Sequence, residues 1–192
     1  TYMGAMGTTV RGEFNTQSKG FGDSTLAAII GLDSGGKRTR QINLNLGLSL
    51  PTGSVTQTDQ ILTPMGGTPS PRLPYPMQLG TGTVDALSAL TYFDRKDKIG
   101  WGAQANVRVP LGENSDGYKP GEQFGASVWA AYEPAYWVSF SGRVKAETKG
   151  AISGRDAVIA APVQTADPAN HGGDIVDILF GINLAGQTGA LR

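Results

Sequence analysis

Cysteine is absent from the 192-residue chain, which excludes disulfides, zinc–thiolate sites and cysteine nucleophiles. That absence fits an exported protein. Histidine occurs once, as His171, and no serine sits in a Gly-x-Ser-x-Gly setting, so a hydrolase triad lacks its nucleophile signature. Charge of one sign is not in excess: Lys and Arg number 16, as do Asp and Glu. No basic run could neutralise a line of phosphates, so nucleic acid is not an expected partner. No apolar run approaches the roughly 20 residues of a membrane-spanning helix. Barrel strands, however, need only about 9 to 11 residues and carry a weak alternating signal, so a membrane is not excluded. No signal peptide is visible and the first residue is Thr1, so a processed chain or a fragment is expected.

What the chain has in abundance is glycine, 28 residues, about twice the usual share of roughly 7 per cent. The glycines show no collagen period and are dispersed, which points to strands and turns. The clearest strand is Gln41 to Leu50. Ile42, Leu44, Leu46, Leu48 and Leu50 face one way, and Gln41, Asn43, Asn45, Gly47 and Ser49 the other, because strand side chains alternate across the sheet. Similar alternation is expected over Ser24 to Asp33, Thr81 to Phe93, Ile99 to Val109, Glu122 to Tyr132, Trp137 to Glu147 and Asp174 to Leu184, with a weaker strand near Thr8 to Phe14. The row of leucines would meet a second sheet in a soluble sandwich, or lipid in an outer-membrane barrel whose amides line a wet interior.

The connections help to choose. They are short at 34–37, 94–97 and 133–135, middling at 112–121, and long at 51–79 and 149–172. Such sorting suits a barrel with tight turns at one rim and long loops at the other, and a Greek-key sandwich has no reason for it. Tyr92, Phe93 and Trp101 bracket one short turn and Tyr132, Tyr136 and Trp137 another, as an interfacial aromatic girdle would. The charges Asp85, Arg108, Arg143, Lys145, Glu147 and Asp177 all share the polar parity of their strands. This matters because Arg or Lys facing mid-bilayer costs roughly 2 to 4 kcal/mol. The expected fold is therefore all-β, an antiparallel up-and-down transmembrane β-barrel. It forms a single domain over residues 1–192, incomplete at both ends and carrying about seven or eight of its strands.

Several segments carry a resemblance: Gly20 to Leu26, Asn45 to Ser54, Leu73 to Thr83, Trp101 to Gln104, Gly112 to Tyr118, Thr165 to Pro168 and Gly172-Gly173. They are similar to the outer-membrane channel family named for the meta-pathway of phenol degradation. The resemblance covers nearly the whole chain, and its Pro-Thr-Gly and Pro-Tyr-Pro-Met-Gln-Leu-Gly segments are the more specific parts. It implies passive or facilitated diffusion of small, often hydrophobic or aromatic solutes across the bacterial outer membrane, without cofactor, metal or catalysis. Lipid and solute are the expected partners. The alternative is a structural barrel within a larger cell-surface assembly, which would add a protein partner. Eight strands would close a barrel filled by its own side chains, whereas about 12 would leave a narrow passage.

The candidate pathway residues are Asn43, Asn45, Asp85, Gln104, Asn106, Arg108, Ser139, Arg143, Lys145, Glu147 and Asp177. They form either a mixed-charge wall that tunes selectivity or a set of cross-strand pairs solvating a filled interior. His171 lies near Asp167 and Asn170 and is read as a loop residue. Glu113 to Gly117 with Glu122 hints at calcium, but the carboxylates miss the EF-hand positions, so a solvated loop is expected. The proline-rich stretch 64–76 is expected to fold over the barrel mouth or into it, in preference to serving as a polyproline ligand.

Overall fold

A computed structural model describes residues 2–3, 9–10, 15–34, 40–63, 66–159, 163–186 and 189–191. Eight strands form one sheet: β1 (Ser24–Ser34), β2 (Arg40–Leu50), β3 (Asp85–Lys96), β4 (Ile99–Pro110), β5 (Gln123–Ala135), β6 (Val138–Lys149), β7 (Gly173–Gly186) and the short β8 (Gly189–Leu191). Their spatial order is their chain order, and every neighbouring pair is antiparallel. This is the expected up-and-down meander. Among the described residues β1 and β8 each have one partner strand, so the sheet is open.

Expected and observed strands differ mostly at their ends. The charged turn expected at 94–97 is displaced, because β3 runs on to Lys96 and turns through Asp97-Lys98, where Asp97 takes φ 52°. Aspartate tolerates that left-handed conformation better than most residues. Glu133-Pro134-Ala135 belongs to β5 and not to a turn; a bulge between Tyr132 and Ala135 absorbs the proline before Tyr136-Trp137 reverses the chain. A second bulge lies between Gly31 and Asp33. The weak strand near Thr8 to Phe14 lies largely outside the described residues, of which Thr9–Val10 pairs with Tyr2–Met3. The eighth strand of the sheet is instead the C-terminal β8, which its glycine-rich surroundings hide from any alternation pattern.

The register carries each parity across the sheet without a break from β2 to β7. On one face Leu44, Leu90, Ala105, Ala126, Ala146 and Val176 are consecutive partners. On the other, so are Asn43, Thr91, Gln104, Ser127, Lys145 and Asp177. Charges of apolar-face parity occur towards the strand ends: Asp33, Arg40, Asp94 and Lys96 near the short turns, Asp174 near the long loops.

Exposure is inverted relative to a soluble domain. Along β5 the apolar Phe124, Val128 and Tyr132 are 48, 57 and 48 % exposed, while the intervening Gln123, Ser127 and Trp129 are more covered. Leu46 and Leu48, half of a core in the sandwich reading, stand open, and no second sheet lies over them among the described residues. The accessible surface is 12937 Å², against roughly 8,700 Å² for a compact monomer of this mass. Strand length fits the same picture: 11 residues at about 3.3 Å each, tilted by about 45°, rise roughly 26 Å, close to the apolar band of a transmembrane barrel.

Candidate functional site

The long connections all leave the same end of the sheet, and there they pack on one another. Residues 51–84, 111–122 and 150–172 contain the buried apolar side chains of the described residues: Val55, Leu73, Tyr75, Tyr118, Ile159 and Ala166. Tyr75 is central. Its ring meets Tyr118 edge-on at 4.9 Å and His171 at 5.4 Å, and its hydroxyl accepts from the Asp156 amide at 3.0 Å. Pro74 opens the short 3-10 turn, Tyr75–Met77, that aims this ring inward.

Polar groups close the rest of the cluster. Arg72 Nη1 donates to Asp116 at 2.7 Å and to the buried Asp156 at 2.5 Å; Asp156, then Asp116, raise the guanidinium pKa above its ordinary value. Asn114 Oδ1 accepts from the amides of Asp116 and Tyr118, and its Nδ2 donates to the Thr81 carbonyl. Gln78 accepts from the Gln57 amide at 2.8 Å and donates to the Leu73 carbonyl at 2.7 Å. The solvated loop expected at 113–117 is instead a loop staple: Asp116 serves Arg72, and Asn114 is buried. His171 Nε2 lies 3.0 Å from the Thr165 carbonyl, in keeping with its reading as a loop residue.

A carboxylate that the sequence reading passed over ties this cluster to the sheet. Asp23, just before β1, accepts from the Gly53 amide at 3.0 Å and from both the amide and hydroxyl of Thr81 at 2.8 Å. Thr52 adds a second tie, its hydroxyl donating to the Gly22 carbonyl and accepting from the Ser24 amide. Gly53 and Gly80 touch so closely that a Cβ on Gly80 would lie 2.4 Å from Asp23 Oδ1 and 2.6 Å from the Gly53 carbonyl oxygen. The motif segments at 20–26, 51–54 and 80–83 therefore meet at one point. Their spacing in sequence could not show this, because the contact joins residues up to 58 apart.

The eleven pathway candidates all fall on the polar face. They are not equivalent. Asp85 is fully buried, bonded to Thr83 and ion-paired with Arg108, whose Nε donates at 2.6 Å. That pair seals the foot of the loop cluster. Lys145 pairs with Glu147 at 2.8 Å, and Asp177 is the register partner of Lys145. Gln104 donates to Thr91 and Asn183 to Ser139, each at 3.0 Å. Asn43, Asn45 and Asn106 lie between these groups in the adjoining rows. Arg143 has no carboxylate partner among the described residues and rests over the Trp129 ring, 4.9 Å from its centroid.

The polar face is less polar than its candidate list. Leu87, Phe93, Trp129, Ile175 and Leu179 share its parity. Phe93, read from sequence as a rim aromatic, points to this inner face, while the tilted rings of Tyr92 and Trp101 meet at 5.0 Å on the outer one. Alternation alone could have placed both Phe93 and Trp129 inward.

A family model described as "Putative MetA-pathway of phenol degradation" matches residues 2–161. The chain belongs to this family. Among curated proteins none matches. The match takes in the Asp23 junction, the Arg72 staple and the first six strands of the sheet, and with them the resemblance motifs up to Tyr118; those at 165–168 and 172–173 lie beyond it.

Two outcomes are expected of this cluster. Asp23→Ala removes three bonds to a charged acceptor, each worth about 1.5 to 3 kcal/mol, and limited proteolysis should then cut within 51–83 while the strands stay intact. Burial, the largest cause, pushes the Tyr118 phenol up to about 12. Its folded pKa is raised, so the loop core loses stability as pH climbs through the ordinary tyrosine range near 10 towards that value. The difference in ultraviolet titration between the native protein and Tyr118→Phe should show one tyrosine ionising late.

Proposed function

We propose that the protein is an outer-membrane channel, its apolar face in lipid and its polar face lining a route for passive or facilitated diffusion of small solutes. One observation carries this reading: from β2 to β6 the apolar face is more exposed than the polar one, and charges of its parity lie towards the strand ends. In water such a face would be an aggregation hazard; in lipid it is the stable arrangement. The family's description, with its mention of phenol degradation, supports small hydrophobic or aromatic compounds as solutes, as do the inward Phe93 and Trp129. The residues need only accept and release a solute, so the protein has no chemistry of its own.

The inner ion pairs divide the labour. Arg108 holds the buried Asp85 and acts in folding, because stripping one partner from a buried pair costs about 3 to 5 kcal/mol. Arg143 and Lys145, both reachable from the inner face, set selectivity. A structural role in a surface assembly is the competing reading, and conductance separates the two.

Leu46→Arg should destabilise the protein refolded into vesicles by roughly 2 to 4 kcal/mol, whereas Asn45→Arg, one residue along but on the other face, should cost far less. Urea titrations would show it, and equal costs would overturn the assignment of faces. In planar bilayers Arg143→Ala should shift permeability towards cations by up to about fivefold, the effect of roughly 1 kcal/mol from one charge at 4 Å in water. A folded protein that never conducts but copurifies with a partner would favour the structural role.

A further inference from the structure

The inner face holds one cation whose support is aromatic. Trp129 on β5 leans across the neighbouring strand, where Gly102 has no side chain; a Cβ there would lie 2.4 Å from Trp129 Cζ2. Gly102 is itself buried under that ring. From the other side, Arg143 on β6 lays its guanidinium over the indole, 4.9 Å from the centroid. Glycine, tryptophan and arginine are consecutive partners in the ladder, Gly102 with Trp129 and Trp129 with Arg143. The same row continues to Leu179 beyond the arginine and to Phe93 beyond the glycine.

Two features make this more than a packing contact. Elsewhere on the polar face Arg108 and Lys145 are each paired with a carboxylate, Asp85 and Glu147. The indole holds Arg143 through the quadrupole of its ring, and among the described residues the five N–H donors of Arg143 have no acceptor. A guanidinium fork matches a carboxylate in a bidentate way. The apolar groups of the row lie on both sides of the fork, where the body of an organic anion would rest.

We propose that Gly102, Trp129 and Arg143 form a station for small organic carboxylates with an apolar, ring-sized body. Arg143 binds the carboxylate, Trp129 positions the guanidinium, and Gly102 supplies the notch that seats the indole. This inference rests on the polar face being the wetted wall of a passage, and it adds to that reading the class of solute that pauses there.

The test is a binding measurement that does not require conduction. With Trp101→Phe and Trp137→Phe, Trp129 becomes the only indole and reports on its own site in the refolded, micelle-held protein. Benzoate should change its fluorescence saturably. Arg143→Gln should weaken that response about tenfold or more, as expected for losing a charge-assisted bond, while circular dichroism and gel mobility confirm the fold. Arg143→Lys should recover only part of it, since an ammonium lacks the fork. Benzyl alcohol, with the same ring but no charge, should not saturate, and chloride should displace benzoate only in large excess.

The station is overturned if benzoate gives no saturable change, if Arg143→Gln binds it as well as the parent, or if benzyl alcohol or chloride serves equally. Gly102→Ala, which displaces the indole, should lower affinity for benzoate; unchanged affinity would remove Gly102 and Trp129 from the site. Conductance measured in parallel keeps the two readings apart. Binding without conduction sinks the channel and retains the station, and conduction indifferent to benzoate does the reverse.

Discussion

A one-residue slip between any two of the long strands would turn one strand's leucines inward and its amides and charges outward, because side-chain direction along a strand has a period of two. Everything else in this protein depends on that not happening. The ladders from β2 to β7 keep apolar with apolar and polar with polar over strands of 11 to 14 residues, and the two bulges lie near the short-turn end of β1 and β5, where a break in parity is least costly. Asp33 shows the consequence: it stands on the outer parity just past the bulge, ion-paired with Arg40. Once parity is held, a face of leucine, isoleucine, valine and alanine follows, and so does a second face carrying amides and paired charges.

The sheet itself contributes no packed core. Burial is concentrated at one end, where three loops share Tyr75, Tyr118, Ile159 and Ala166 and where Arg72 spans two aspartates. Such a cluster, with short 3-10 turns and the two-residue pairing of Tyr118–Lys119 with Ser153–Gly154, gives the long loops a definite shape, although loops of that length are costly to order. Asp23 then fixes the cluster to the start of β1, and Asp85 with Arg108 fixes it to β3 and β4. The resemblance motifs are mostly the residues of these ties. Their glycines are explained at Gly53 and Gly80 by backbone contact that leaves no room for a side chain.

Alternation made the strands legible from sequence, and with them the faces, since both rest on a local repeat that each strand carries alone. The sorting of short and long connections was equally visible. Strand ends were less so: Glu133-Pro134 reads as a turn, yet the strand bends through it by a bulge. Phe93 was counted with the rim although its own parity puts it inside. The acidic segment 113–117 suggested a cation, and the partner that claims Asp116 is Arg72, 44 residues away.

What the sequence by itself determined, then, is the all-β meander, the two unlike faces and the side on which each charge stands. These follow from a period of two, which needs no knowledge of neighbours. Only the tertiary structure decided which charges are committed and which are free. It paired Arg108 with the buried Asp85, turned Asp23, Asn114 and Gln78 into fastenings, and set Arg143 on an indole seated over Gly102. Those roles depend on register and loop packing between residues far apart in the chain, and no local pattern encodes a distance between two side chains.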